Sequence, residues 1–250
     1  MSSDDRGTVA PAEDPATPAA YQEHHHADVS GGWLRPAVFG AMDGLVTNIA
    51  LIAGVGGGGV GPHNLILTGF AGLVAGAISM GLGEYTSVRT QNDQVAHELA
   101  KERRELERNP EAEAEELAGM WIDRGLPPEL AREVARAVGR NPDEALRIHA
   151  QEELGVNPSE QPSPWIAAIS SFLCFSTGAL VPLLPYLIGL RELWLALVVG
   201  AVGLFVAGAL TARFTSRTWY GSGSRQLLLG MAAAGATFLI GKAIGISGLG

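Results

Sequence analysis

Five long segments of the chain consist almost entirely of apolar residues. They run over residues 33–55, 63–83, 164–188, 193–214 and 226–246. A helix that crosses the hydrocarbon core of a membrane needs about 20 mostly apolar residues, and each segment is long enough to form one. The pattern therefore predicts an all-α, polytopic membrane protein with five transmembrane helices.

Composition supports a membrane protein and leaves one polar region. Of the 250 residues, 47% are hydrophobic and 17% charged, and the mean hydropathy is +0.18, which is more apolar than an average soluble domain. Residues 84–160 hold 18 acidic and 10 basic side chains, so this block carries −8 of the total net charge of −9. We predict a charged domain inserted between transmembrane helices 2 and 3.

Start and stop signals divide the charged block into helices. Residues 84–108 contain no glycine or proline and are predicted to continue the second transmembrane helix as one rod. Asn109-Pro110 and Asn141-Pro142 each offer an N-cap followed by proline at the first helical position. A helix over 110–124 then ends at Gly125, LPPELAREVARAVGR forms the next, and PDEALRIHAQEEL forms the last and ends at Gly155.

Basic residues indicate the orientation in the membrane. The loop GVGGGGVGPH between the first two spans has no Lys or Arg, whereas the linker between spans four and five carries Arg213, Arg217 and Arg225. Lys and Arg near span ends favour the cytoplasm. The N-terminus and the charged block are therefore expected inside, and the C-terminus outside.

The predicted domain boundaries follow from these patterns. Residues 1–32 are a disordered N-terminal tail, 33–83 are transmembrane helices 1 and 2, 84–160 are a cytoplasmic helical domain, and 161–250 are transmembrane helices 3–5. The tail has too few large apolar residues to offset its ordering entropy. Its His24–His26 run is more typical of an incidental feature than of a metal site.

Asp43 lies among apolar residues in the first span. An ionised carboxylate in mid-span costs at least ~2.5 kcal/mol on insertion scales, so such residues usually face a helix-bundle interior or a wet path and have a function there. The alternative is an Asp that bonds a neighbouring helix or lies near an interface. Met80 alone is typical filler, but a carboxylate with a thioether suits a first-row transition ion better than Mg²⁺ or Ca²⁺.

Carboxylates and one imidazole recur at helical spacing in the charged block. Glu98, Glu102 and Glu105 share one helix face. The other groups that share a face are Glu113 with Glu116, and His149 with Glu152 and Glu153. Ligands from three helices predict a site for divalent metal ions. The alternative is a solvated surface, because Lys101–Glu105 and Arg103–Glu107 are i, i+4 pairs that ordinary exposed helices show.

Several functions lack support in the sequence. No P-loop, GxSxG, HExxH or paired CxxC motif is present, which argues against phosphate-driven pumping, acyl transfer and a cysteine zinc site. The single cysteine, Cys174, excludes an internal disulfide. With an acidic balance and no basic aromatic patch, nucleic acid is not expected as a partner.

The sequence resembles the vacuolar iron transporter (VIT) family, in its bacterial form, from about residue 33 to residue 250. The likeness rests on DGLVTNIALIAGV in the first span, ISMGLGEYTSVRTQND leaving the second, NPEAEAEEL in the acidic block and HAQEELGVNP before the third. The resemblance implies a homodimer in the lipid of a bacterial plasma membrane. It also implies export of Fe²⁺, and often other divalent ions such as Mn²⁺, Co²⁺ and Zn²⁺, from the cytosol in exchange for protons.

The resemblance also implies roles for individual residues. Asp43 and Met80 correspond to pathway residues in the membrane. The metal-gathering residues of the charged block would be Glu102, Glu105, Glu113, Glu116 and Glu153. One departure from the family pattern is that His149 and Ala150 occupy the place where two methionines are often found, which leaves open the number of bound ions and the preference among Fe, Mn, Zn and Co.

Two other functions would use similar residues. A membrane-anchored, ferritin-like di-iron oxidase would use a Glu-x-x-His motif on each of two helices, and neither His97 nor His149 has a glutamate three residues earlier. A metal-storage or sensor protein would gain nothing from the cost of Asp43 inside the membrane. The sequence therefore favours a transporter and not an enzyme.

Overall fold

The structure, a computed structural model, describes residues 32–214 and 217–246. Apart from Gly32, the predicted disordered tail and its His24–His26 run lie outside these ranges. The described residues form helices and connecting turns, with no strand among them. The α-helices are α1 Leu34–Gly57, α2 Pro62–Arg108, α3 Pro110–Asp123, α4 Pro128–Val138, α5 Pro142–Glu153, α6 Pro164–Leu180, α7 Leu184–Leu187, α8 Leu193–Thr211 and α9 Trp219–Ile246.

Five helical segments are long and apolar enough to cross a membrane: α1, α2, α6 continued by α7, α8 and α9. The predicted fold class, all-α with five membrane helices, is therefore confirmed. The third of these segments is interrupted by a 3-10 turn, Val181–Leu183, because Pro182 and Pro185 have no N–H to donate and disfavour a continuous α-helix. α9 begins seven residues before the predicted residue 226, since the glycines and serines of residues 221–224 are accommodated inside the helix.

α1 lies at the centre of the membrane helices and packs against α6, α9, α2 and α8. Glycines allow the closest approach. A Cβ atom on Gly44 would lie 2.2 Å from the carbonyl oxygen of Phe175, and one on Gly178 would lie 2.2 Å from that of Ala41. No side chain fits at either position, so α1 and α6 meet backbone to backbone, as expected of small residues in membrane helices.

α2 is one uninterrupted helix of 47 residues, about 70 Å long. Its first half packs among the membrane helices, and its last turns pack against α3 and α5. The predicted rod is thus confirmed. α3 and α4 bury Leu117 and three small residues, Ala118, Ala131 and Ala135, between them, and larger side chains, Ile148 of α5 among them, pack around these four. Small side chains let these helices approach closely around the end of α2.

The helix boundaries in this bundle follow most of the predicted signals. The side chain of Asn141 accepts hydrogen bonds from two backbone N–H groups of the first turn of α5. Gly125 and Gly155 have φ values of 100° and 65°, a left-handed conformation that favours glycine. The expected Asn109 side-chain cap is not formed. Pro110, whose φ is already helical, therefore starts α3 without that bond.

Two contacts hold α2 against the start of α6. The rings of Tyr85 and Trp165 lie 4.8 Å apart between centroids, and Asn92 Nδ2 donates a hydrogen bond of 3.0 Å to the carbonyl oxygen of Pro162. Both contacts lie where the apolar sequence gives way to charged residues. They fix the place at which the charged part of α2 leaves the membrane helices.

The glycine contacts predict a large effect of one added side chain. Gly44→Val is expected to destabilise the protein by at least about 1–3 kcal/mol, because it forces α1 away from α6. Gly235→Val is the matched control, since nothing lies within 4 Å of a Cβ at Gly235. Thermal unfolding of detergent-purified protein measures both. Equal melting temperatures for the two variants would contradict the packing described for α1 and α6.

Candidate metal site

Four predicted ligands from three helices converge in the bundle at the end of α2. Glu102 comes from α2, Glu113 from the first turn of α3, and His149 and Glu153 from α5. The reversal of the chain at Asn109 folds α3 back beside α2, and the i, i+4 spacing puts His149 and Glu153 on one face of α5. One ligand atom from each residue lies within 4.8 Å of all the others.

The imidazole of His149 is the centre of this four-residue cluster. Its Nδ1 atom lies 2.8 Å from Glu153 Oε1 and 3.1 Å from Glu102 Oε1. His149 is 2% exposed and Glu102 7%, whereas the Glu153 side chain is 25% exposed. Glu102 Oε1 has no hydrogen-bond partner among the residues that the structure describes. A buried carboxylate oxygen in this state is costly and is available to bind a cation.

The surroundings disfavour negative charge on the two buried glutamates. Burial, followed by the charge of Glu153, raises the pKa of Glu102 from 4.5 to about 7, and His149 opposes this shift. Burial, followed by the charge of Glu116, raises the pKa of Glu113. A divalent cation among these groups removes the repulsion, so proton and metal compete for the same oxygens.

The other predicted ligands occupy two different positions. Glu105 and Glu116 are not among the four converging groups. The negative charge of Glu105 contributes to the raised pKa values of both Glu102 and Glu113, and the charge of Glu116 contributes to the raised pKa of Glu113. Glu152 is bound elsewhere: Arg124 forms an ion pair with it, and Trp121 Nε1 donates to its Oε1 at 3.3 Å. Glu152 therefore ties α5 to α3 beside the cluster. Sequence spacing did not reveal Arg124 and Trp121 as its partners.

The two predicted membrane residues lie at similar depth in neighbouring helices. A Cβ on Gly72 of α2 would lie 2.5 Å from the Leu51 side chain of α1, so these positions are level. The connection between α1 and α2 is short, and the helices run in opposite directions. Met80 lies eight residues after Gly72 along α2, and Asp43 lies eight residues before Leu51 along α1. Because the two helices are antiparallel, both separations cover about 12 Å in the same direction.

Asp43 and Met80 are both half-buried within the described part of the chain. Thr47, one turn along α1, donates a hydrogen bond of 3.3 Å to Asp43 Oδ1. Met80 packs beside the cluster of Ala77, Phe175 and Ala179. A carboxylate oxygen and a thioether sulfur are thus held at one level of the membrane helices.

Asn48 is a polar residue of α1 that the sequence analysis did not single out. It is 1% exposed, its Nδ2 donates to the carbonyl oxygen of Ala179 on α6, and its Oδ1 has no partner among the described residues. The signal in the sequence was an amide within the apolar segment TNIAL. Its observed role is to tie α1 to α6.

The Glu152 contacts predict an indirect effect on metal binding. Glu152→Ala and Arg124→Ala are each expected to weaken Zn²⁺ binding about tenfold, because both loosen the attachment of α5 to α3. The double variant should bind no more weakly than Glu152→Ala alone. Competition with a chelator measures the affinities. If Glu152 ligates the ion directly, Glu152→Ala will weaken Zn²⁺ binding far more than Arg124→Ala, and the two losses of affinity will add in the double variant.

The raised pKa of Glu102 predicts how the metal-free bundle responds to pH. Between pH 4.5 and about 7 the folded chain holds a proton on Glu102 that the unfolded chain releases, so stability falls as the pH rises through this window. At pH 7.5, Glu102→Gln is expected to slow hydrogen exchange in α3 and α5 relative to wild type; at pH 4.5 the two should exchange alike. Glu107→Gln, an exposed change on the same helix, is the control. Faster exchange in Glu102→Gln at pH 7.5 would refute the assignment.

Comparison with known proteins shows the family of this chain. The VIT family model matches residues 34–242. The chain is 38% identical to the vacuolar iron transporter of Acanthamoeba castellanii, over 82% of this chain and 79% of that protein. It is 32% identical to vacuolar iron transporter 1 of Oryza sativa subsp. japonica, over 90% and 92%, and 31% identical to vacuolar iron transporter 1 of Arabidopsis thaliana, over 88% and 90%. The residues matched by the family model include the four-residue cluster and nearly all of the membrane helices, and the chain belongs to the VIT family.

Proposed function

We propose that the protein exports Fe²⁺ from the cytosol in exchange for protons, and that it also accepts Mn²⁺, Co²⁺ and Zn²⁺. The observation that carries this proposal is the convergence of Glu102, Glu113, His149 and Glu153 at the end of a helix that continues into the membrane. The relatives are named as iron transporters, so the chain belongs among metal transporters and not among enzymes.

The donor atoms support a first-row transition ion as the substrate. Three carboxylate oxygens and one imidazole nitrogen suit Fe²⁺, Co²⁺ and Zn²⁺, whereas Mg²⁺ and Ca²⁺ prefer oxygen and water alone. The acidic block adds a negative field around the cluster, which raises the local concentration of cations. The cluster thus collects metal ions on the side of the membrane where the charged block lies.

The path into the membrane runs along α2. Met80 and Glu102 belong to the same helix and are separated by about 33 Å along its axis. In the proposed transport cycle, an ion released by the cluster reaches Met80 and Asp43, where sulfur and carboxylate oxygen replace part of its hydration shell.

Proton coupling follows from the chemistry of carboxylate ligands. A carboxylate must be deprotonated to bind a cation, so metal binding and proton binding at Asp43 exclude each other. A proton that arrives from the acidic outer side would weaken the hold of Asp43 on the ion and release it outward. When Asp43 is again accessible from the inner side, it releases that proton to the cytosol, and the free carboxylate can bind the next ion.

Aromatic and basic residues support a cytoplasmic position for the charged block. The start of α1, the exit of α2 and the start of α6 carry Trp33, Tyr85 and Trp165, and such residues are enriched at membrane interfaces. The basic residues near this end are Arg35, Arg89, Arg213, Arg217 and Arg225, against Arg191 and Lys242 near the other end. The placement in a bacterial plasma membrane rests on the resemblance to the bacterial form of the family.

One face of α1 supports a homodimer. Residues 35, 39, 43 and 47 form one row at i, i+4 spacing, in which Arg35, Phe39 and Thr47 are exposed and Asp43 is half-buried. Lipid does not solvate the polar side chains of this row well. A second copy packed on this face would cover them and enclose Asp43 in a path between two subunits.

Transport across a pH gradient tests the role of Asp43. Asp43→Asn keeps the side-chain size but cannot exchange a proton, and it is expected to reduce Fe²⁺ uptake into proteoliposomes at least tenfold. Zn²⁺ binding to the four-residue cluster should remain unchanged. Uptake at the wild-type rate in Asp43→Asn would refute the proposed pathway.

The matched control for this experiment is Asp93→Asn. Asp93 is an exposed aspartate that forms an ion pair with Arg89 outside the apolar part of α2, so its loss should leave uptake intact. Uptake without a pH gradient gives the second reference. Equal rates with and without the gradient would overturn proton exchange while leaving metal transport in place.

A further inference from the structure

We propose that the junction between α1, α2 and the helix pair α6–α7 binds a column of water molecules, and that protons move along this column when the Phe175 ring moves aside. Protons then have a route of their own, whereas the metal ion passes Asp43 and Met80. The proposal deepens the proposed function and rests on it for the exchange of protons. Proton movement along the junction can nevertheless be measured without metal.

Three buried side-chain oxygens in the membrane helices have no hydrogen-bond partner among the described residues: Asn48 Oδ1, Ser171 Oγ and the hydroxyl of Tyr186. Asn48 is 1% exposed, Ser171 0% and Tyr186 5%. A buried polar atom left unpaired costs about 1–3 kcal/mol, and bound water is the usual partner of such atoms. Each of the three oxygens therefore marks a place for a water molecule.

The three oxygens follow one another along the same junction. Ala179, whose carbonyl oxygen accepts a hydrogen bond from Asn48, lies eight residues after Ser171 on α6, or about 12 Å along the helix axis. Tyr186 lies seven residues further along the chain and packs with Ile52, which is one turn after Asn48 on α1. The oxygens thus form a column that begins within α6 and runs away from the charged block to α7.

Phe175 interrupts this column between Ser171 and Asn48. It lies one turn after Ser171 on α6 and is 2% exposed. Its ring occupies the space beside Gly76 of α2, where an added Cβ would lie 2.2 Å from the ring atom Cζ. Apolar constrictions of this kind close channels by excluding water. The position of Phe175 therefore keeps the water molecules on its two sides apart.

The close packing of the junction suits protons and excludes hydrated metal ions. α1 and α6 touch backbone to backbone beside Phe175, since a Cβ on Gly44 would lie 2.2 Å from the carbonyl oxygen of Phe175. A hydrated divalent ion is too wide for such a contact, whereas a proton passes along single water molecules and polar side chains. Asp43 is next to Gly44 on α1. A proton that moves along the column therefore arrives beside the carboxylate that the metal ion leaves.

Proton flux into metal-free proteoliposomes tests this route. Full-length protein is reconstituted with a pH-sensitive dye inside, and the outer solution is acidified while K⁺ and valinomycin hold the membrane potential at zero. Phe175→Ala is expected to raise the proton flux at least about tenfold over wild type, because it opens the apolar constriction. Phe172→Ala is the control, since this exposed phenylalanine of α6 lies outside the junction, and it should leave the flux unchanged. A wild-type flux in Phe175→Ala would overturn the proposal.

A second substitution separates the column from a general leak. Adding Ser171→Ala to Phe175→Ala removes one polar group of the column and is expected to lower the proton flux at least about threefold. The change is small and leaves no new polar atom unpaired. An equal flux in the single and double variants would mean that protons leak elsewhere, and it would also overturn the proposal.

Radiolytic labelling of the wild-type protein makes the test independent of how the variants fold. Hydroxyl radicals formed from bound water modify the side chains that touch it. Phe175 is therefore expected to be labelled although it is 2% exposed, whereas Leu204, which is 0% exposed and packs among apolar residues, should not be. Rates are compared after correction for the intrinsic reactivity of each residue type. Unlabelled Phe175 would refute the water column.

Failure of this proposal and failure of the proposed function give different results. If wild-type protein exchanges metal for protons but Phe175→Ala conducts no protons, the separate route is refuted and the proposed function stands. If Phe175→Ala conducts protons and the wild-type protein transports no metal, the proposed function is refuted and the proton route through the junction stands.

Discussion

The removal of carboxylates from water is the constraint on which the rest of the structure depends. Glu102 and Glu113 are buried beside other acidic groups, and this raises the pKa of both. A chain gains no stability from such an arrangement, because the desolvation of a charge exceeds what imperfect partners return. The buried glutamates are at their most stable with either protons or a cation bound. The fold therefore holds a site whose two favourable states, with protons bound or with a cation bound, exclude each other.

The backbone keeps these carboxylates together by close packing of small residues. Ala118, Ala131 and Ala135 are buried between α3 and α4, and Ala145 and Ala150 are buried on α5. These helices can therefore pack closely together near the end of α2. Arg124 and Trp121 then hold Glu152, the neighbour of Glu153, against α3. Side chains of ordinary size would let the helices separate and the acidic groups relax away from one another. Close packing thus sustains the repulsion that a cation relieves.

The sequence predicted the helices well because apolar length, proline and glycine act locally. The rod of α2 and the glycine stops at Gly125 and Gly155 depend only on neighbouring residues. Pairing across helices is less predictable. Glu152 and Glu153 are adjacent and of the same residue type, and only the rotation of α5 decides that Glu153 faces the cluster while Glu152 faces Arg124. The Asn48 bond to α6 likewise depends on tertiary packing, which spacing along one helix does not reveal.

The distance along α2 between the four-residue cluster and Met80 decides whether one ion can contact ligands of both sites at once. Glu102 and Met80 are separated by about 33 Å of continuous helix, far more than an ion can cross while keeping ligands from both. An ion that leaves the four-residue cluster must regain water before it meets Asp43 and Met80. In the proposed function, the four-residue cluster therefore determines which ions are concentrated near the membrane, and Asp43 with Met80 determines how fast they cross. The two proposed steps occur at separate sites, because one continuous helix both joins the sites and keeps them about 33 Å apart.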